Sequence, residues 1–150
     1  MILYRITKCN YAADLSGTGA RLYGGRWNSE GKPMLYLASS RSLAVLEVLV
    51  HLDPLIIPGN YCLVDIEVPD DKITTVDIER LPEDWRDISG SVILRELGDA
   101  FLKKQEHLLM KVPSSIVSAE YNYLLNPLHP DAFGIKLLKR EPFNFDRRLL

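Results

Sequence analysis

Cysteine is scarce in the 150-residue chain: Cys9 and Cys62 are the only two. They form no CxxC pair and no spacing that sets up a zinc site or a disulfide ladder. A fold without covalent staples in a reducing, cytoplasmic setting is therefore expected. Long apolar runs are missing as well. The longest, over 43–57, is broken by Glu47, His51, Asp53 and Pro54 and falls well short of the ~20 residues of a spanning helix, which predicts no membrane span. The N-terminus, Met1-Ile2-Leu3-Tyr4-Arg5, lacks the basic segment and apolar core of a secretion signal. Neither charge is in excess: 18 Lys+Arg against 20 Asp+Glu leave a net charge of -2, so direct nucleic-acid binding through phosphate neutralisation is not expected. His51, His107 and His129 are scattered without an HExxH pattern, and no metal site is expected.

What is present is a 47% hydrophobic composition, enough for one domain over 1–150 that buries roughly 70% of its unfolded surface. Alternation predicts strands at 2–6, 34–38 and 61–68; in the last, Cys62, Val64, Ile66 and Val68 share one face, with Asp65 and Glu67 on the other. Shorter strands are expected at 73–76, 114–118, 135–138 and 143–145, and 15–28 reads as a glycine-spaced loop. A helix over 41–52, capped by Ser39 or Ser40, is apolar nearly all round and so should be buried. A second, amphipathic helix is expected over 92–110, where Leu94, Leu97, Phe101 and Leu108 recur at helical spacing. Strands mixed irregularly with two helices make the fold class α+β.

Among residues that could carry chemistry, Glu47 stands out, because Leu43, Ala44 and Val50 on its helical face would otherwise form an apolar stripe. A carboxylate there needs a cation, hydrogen bonds or a solvated cleft; a structural ion pair is the equally weighted alternative. Arg26, between Gly24-Gly25 and Trp27, puts a guanidinium fork beside a ring, which suits phosphate capture; an exposed hairpin charge is the plain alternative. Tyr36 alternates with Leu35 and Leu37 and faces away from them, free to stack on a planar ligand or simply to edge the core. Gly17-Thr18-Gly19 is not a dinucleotide fingerprint. Ser114 and Ser115 have no histidine in a nucleophile arrangement.

Taken in order, Tyr4-Arg5-Ile6, Gly24-Gly25-Arg26-Trp27-Asn28 with Gly31, Tyr36, Glu47, Val112-Pro113-Ser114 and Asn122-Tyr123-Leu124-Leu125-Asn126-Pro127 resemble the RES domain family over essentially the whole chain. The resemblance implies a single compact ADP-ribosyltransferase-like domain with mixed, mainly antiparallel twisted sheets and packed helices. It also implies the toxin of a bacterial type II toxin-antitoxin pair, its cleft covered by an Xre-like helix-turn-helix antitoxin, acting on NAD as substrate with no cofactor. Arg26, Tyr36 and Glu47 match the family's catalytic positions. Arg5, Arg26, Tyr36, Ser114 and Asn122 match substrate-binding ones, with Ser115 the alternative to Ser114.

Under that resemblance the reaction is cleavage of the nicotinamide-ribose bond. Nicotinamide leaves as a neutral group, so no general acid is required, and charge develops on an oxocarbenium-like ribose that one carboxylate, Glu47, can stabilise. Arg26 is assigned to the pyrophosphate and Tyr36 to the nicotinamide or its ribose. Water, inorganic phosphate or a protein side chain could accept the ADP-ribosyl group, giving a glycohydrolase, a phosphorylase or an ADP-ribosyltransferase. A non-catalytic nucleotide- or partner-binding module is the alternative from another class.

Overall fold

A computed structural model describes residues 1–90 and 92–150, and its strands alternate as the sequence predicts. In β3 (Tyr61–Glu67), Cys62, Val64 and Ile66 enter one buried cluster together with Val68, Leu3, Leu35, Leu37 and Leu125. Around it assemble β1 (Ile2–Lys8), β2 (Leu35–Ala38), β4 (Ile73–Thr75), β5 (Leu109–Pro113), β6 (Tyr121–Leu125) and β7 (Lys136–Phe143). They form one seven-stranded sheet in the order β4-β5-β6-β2-β1-β3-β7. Every pairing is antiparallel except β4 with β5, which are parallel. A parallel pair needs a crossover, and the helix α3 (Val92–Lys104) supplies it. The domain is α+β, as expected, with a single sheet in place of several.

Two further clusters fix the helices on that sheet. Leu94, Phe101 and Leu102 of α3 pack with Trp27, Met34, Trp85, Met110 and Leu124. Leu43 and Ala44 of α2 (Arg41–Leu49) pack with Ile6, Ala38, Leu63 and Phe145. Each large aliphatic or phenylalanine side chain among them, once buried, contributes roughly 1.5–3 kcal/mol. The helix α2 begins where expected, because the Ser40 side chain accepts the Leu43 N–H at 3.1 Å. Arg41, in its first turn, pairs with the buried Asp65 of β3 and lies over the Tyr4 ring, so the acid placed on the outer face of β3 is consumed by the helix start.

Several expectations are corrected. The helix over 41–52 is not buried all round: only Leu43 and Ala44 are buried within α2, Val50 beyond its end is exposed, and Glu47 is half-buried. Within the expected loop over 15–28 lies a third helix, α1 (Thr18–Tyr23), entered through Gly17 at φ 72°. The helix over 92–110 stops at Lys104, since Gln105 takes a φ of 52°, and Leu108 to Met110 enter strand pairing or its edge. The strand expected over 114–118 is a turn: the Ser114 Oγ accepts the N–H groups of Ile116 and Val117, both at 3.1 Å. The two strands expected at 135–138 and 143–145 are one edge strand, β7, whose Lys136, Lys139, Arg140, Glu141 and Pro142 suit an unpaired edge. Cys9 and Cys62 form a disulfide, contrary to the expectation of no staple; β1 and β3 run side by side with Thr7 opposite Cys62, which brings Cys9 within reach. Among the described residues no helix is long and apolar enough to cross a membrane.

Candidate functional site

The residues singled out by the sequence converge on one cavity of about 660 Å³, lined among others by Arg5, Arg26, Tyr36, Glu47, Ser115 and Asn122. That volume lies in the range of small-molecule sites. Each strand or helix contributes through its register. Arg5 comes from β1, Tyr36 from β2, Asn122 from β6 opposite Ala38, and Glu47 from α2, which starts directly after β2.

Among the described residues Glu47 has no cationic partner. Its Oε1 accepts a hydrogen bond from Asn122 Nδ2 at 2.6 Å and one from the Ser114 hydroxyl at 3.1 Å. Among the described residues Oε2 accepts none, and the carboxylate lines the cavity. Ser114 is 1% exposed and lies outside the lining, whereas Ser115 is part of it. The two serines thus divide the possibilities left open by the sequence: Ser114 positions Glu47 and Ser115 faces the cavity. Neutral donors hold the carboxylate in place without cancelling its charge. The Asn122 Oδ1 is buried without a hydrogen-bond partner among the described residues, so that amide too keeps an acceptor unused.

Tyr36 is held more tightly than a stacking residue alone would be. Its hydroxyl donates to Asn28 Oδ1 at 2.7 Å and accepts the Trp27 N–H at 3.1 Å. Burial is the main cause that pushes the Tyr36 phenol well above its ordinary value; the Asp99 charge adds to it, and the Trp27 N–H bond and Arg26 oppose it. The hydroxyl therefore stays protonated across the physiological range and is no general base.

Arg26 is fixed differently from the expectation. Trp27 is 3% exposed and sits in the core under α3, and the guanidinium is held by backbone instead: Nη1 donates to the carbonyls of Trp85 and Asp87, both at 2.9 Å. The remaining guanidinium donors are left for a ligand. Arg5 donates from Nη1 to the Asp14 carbonyl at 2.8 Å. Burial pulls its pKa below the ordinary arginine value, with the Asp14 charge opposing part of that shift.

Three residues given no role from sequence hold this arrangement. Asn28, fully buried, donates to the carbonyls of Ala20, Ser29 and Lys32 while accepting from Tyr36. Asp99 of α3 accepts from the Ser29 N–H at 2.9 Å and the Ser29 hydroxyl at 2.6 Å. Gly98 lets α3 approach so closely that an added Cβ would lie 1.6 Å from the Trp27 carbonyl oxygen. The pattern signal for Asn28 was its place directly after Arg26-Trp27; Gly98, a glycine inside a strongly periodic helix, marked a close approach. Of the histidines, His51 lines the cavity, while His129 is buried and its Nδ1 accepts the Asp131 N–H, a turn-forming role.

A family model described as RES domain matches residues 2–146. A protein named Toxin Res from Photorhabdus laumondii is 42% identical over 152 residues, covering 100% of this chain and 97% of its own. The Prs ADP-ribosylating toxin of a Sphingobium species is 42% identical over 142 residues, covering 93% of this chain and 88% of its own. Among solved structures, a chain in the crystal structure of the M. tuberculosis MbcT-MbcA toxin-antitoxin complex superimposes with a TM-score of 0.77 at 21% identity, over 95% of this chain and 84% of that one. At that identity the likeness establishes the fold.

Proposed function

The chain belongs to the RES domain family, whose relatives bear the names of toxins, and we propose that it is the toxin of a toxin-antitoxin pair that cleaves the nicotinamide-ribose bond of NAD. One observation carries the reading: a carboxylate, Glu47, that is oriented by Asn122 and Ser114, has no cationic partner among the described residues, and opens into a ligand-sized cavity lined by arginines. In the reaction the C–N bond breaks and its electron pair goes to the ring nitrogen, which leaves neutral. The positive charge that develops on the ribose is stabilised by the Glu47 carboxylate. An oxygen of the acceptor then bonds to the ribose carbon and loses its proton, giving ADP-ribose from water or the corresponding 1″-phosphate from inorganic phosphate. Arg26 holds a phosphate with the donors its two carbonyl partners leave free, and the Tyr36 ring forms the wall on which the nicotinamide or ribose rests. Arg5 and Asn122 supply further polar contacts.

Transfer to a protein side chain is the second reading, favoured by the name of the Sphingobium relative; it shares the bond-breaking step and differs in the acceptor. For the partner, Tyr23, Val50 and Ile88 line the cavity and are all exposed, an apolar rim that suits an antitoxin, here taken to be Xre-like, closing over the mouth. The test is proton NMR of NAD incubated with the purified chain, with and without inorganic phosphate. Nicotinamide release is expected to fall about 10²–10³-fold in Glu47→Gln. Full release by a folded Glu47→Gln would remove Glu47 from the chemistry, and modification of a target protein with little free ADP-ribose would move the reading to protein ADP-ribosylation.

A further inference from the structure

Of the arginines that line the cavity, Arg95 is the one without a partner among the described residues. Arg5 and Arg26 each spend a guanidinium nitrogen on backbone carbonyls. Arg95 is half-buried yet makes no hydrogen bond, ion pair or ring contact among the described residues. It lines a second cavity of about 400 Å³ as well, which shares Tyr23, Gly24, Gly25 and Arg95 with the first. The acid of that second cavity, Glu30, does not pair with it. Arg95 also sits in the first turn of α3, where the helix dipole disfavours a cation, and that turn holds no acidic residue. A half-buried arginine on the seam between two cavities, its five donors unused among the described residues, is a vacant position for an anion.

We infer that Arg95 binds the diphosphate of the dinucleotide, at the point where an extended ligand passes from the Glu47 cavity into the second one. This deepens the NAD reading. Arg26 is anchored and offers one phosphate a fixed contact; Arg95 is unanchored and closes on the diphosphate as a bidentate fork. Because no protein acceptor has to be given up, the contact forms at little cost to the folded chain. Gly90, whose φ of 66° favours glycine, lies beside it: a Cβ there would sit in ordinary contact, 3.9 Å from Arg95 Nη1.

Calorimetric titration of the chain with ADP, adenosine and inorganic phosphate tests the inference in wild type, Arg95→Ala and Arg95→Lys. Arg95→Ala should weaken ADP binding about 10- to 100-fold, leave adenosine binding and the melting temperature unchanged, and be partly rescued in Arg95→Lys. In turnover the KM for NAD should rise by a similar factor with kcat nearly constant. Equal ADP affinity in wild type and Arg95→Ala, or no preference of the wild type for ADP over adenosine, would overturn it. A rise in the KM for inorganic phosphate with the KM for NAD unchanged would overturn it too, making Arg95 an acceptor site. If Arg95→Ala weakens ADP binding while wild type releases no nicotinamide, the diphosphate subsite stands and the NAD-cleavage reading falls.

Discussion

Replacing Gly98 by alanine sets two effects of known sign against each other. Within the interior of α3 the substitution should gain about 1 kcal/mol of helix propensity. Against that, the new Cβ would fall 1.6 Å from the Trp27 carbonyl oxygen and 2.7 Å from its carbonyl carbon, both backbone atoms that cannot rotate away. Restoring ordinary contact requires a separation of nearly 2 Å between α3 and the loop, which overpacking data place at 1–3 kcal/mol or more. It also pulls Asp99 from the Ser29 N–H and hydroxyl, each bond worth about 1 kcal/mol. The clash wins by about 2–4 kcal/mol, and at about 2–4 °C per kcal/mol for a chain of this size the melting temperature should fall by roughly 4–16 °C. Differential scanning calorimetry reads this directly. Gly19→Ala is the control: it lies in α1 with nothing within 4 Å of its added Cβ and should be neutral or stabilising by up to about 1 kcal/mol. Because the same loop carries Arg26 and bonds Tyr36, Gly98→Ala should also lose nicotinamide release at temperatures where it is folded. A Gly98→Ala protein that melts at or above wild type would refute the close packing of α3 on Trp27.

Other perturbations probe the remaining supports. Tyr36→Phe leaves Asn28 Oδ1 and the Trp27 N–H unpaired and should cost about 1–3 kcal/mol at neutral pH. Since the folded phenol titrates above its ordinary value of 10.0, the wild type's advantage is complete below pH 10 and should shrink above it, by up to ~1.4 kcal/mol per pH unit; parallel alkaline denaturation curves for the two proteins would contradict this. Ser114→Ala removes one bond to Glu47 and the acceptor for the N–H groups of Ile116 and Val117, so urea unfolding should show a loss of about 1–3 kcal/mol and steady-state kinetics a kcat lower by about tenfold with KM little changed. Reducing the Cys9–Cys62 bridge, which closes a separation of 53 residues, should cost about 4 kcal/mol of loop entropy; identical thermal unfolding with and without reductant would show that the bridge contributes nothing.

How much was legible depended on whether a residue's fate is decided by its neighbours in sequence or across the sheet. The alternation of β3 and the capping of α2 by Ser40 are local, and both are found where the pattern puts them. The end of α3 is not local: Leu108 continues the helical spacing, but 108–113 are captured by pairing with β6 and β4, and period alone does not separate a buried strand from a helix segment. The Ser114 turn looked like a strand because its hydroxyl, not a neighbouring strand, satisfies the backbone. The disulfide depends on β1–β3 register, invisible at that separation. Glu47 was flagged by its apolar face alone, whereas Arg5 and Asn122 entered through the family resemblance, since a polar residue in a half-exposed strand carries no pattern signal of its own.

The distribution of charge in the cavity links these points. Glu47 is in none of the ion pairs among the described residues, although Arg5, Arg26 and Arg95 line the same space. A guanidinium bonded to Glu47 would stabilise the carboxylate by several kcal/mol in a partly desolvated site and would cancel the field it projects. Neutral donors from Asn122 and Ser114 orient it and leave that field intact. The arginines, held on backbone carbonyls or left unpaired, keep their own charge for anions. A cavity that holds a carboxylate and arginines not paired with one another suits a ligand that carries both polarities along its length. A dinucleotide whose cationic nicotinamide and electron-poor ribose are joined to a diphosphate has that polarity, which is why Glu47 and Arg95 should separate in kinetics: Glu47→Gln acting on kcat, Arg95→Ala on KM.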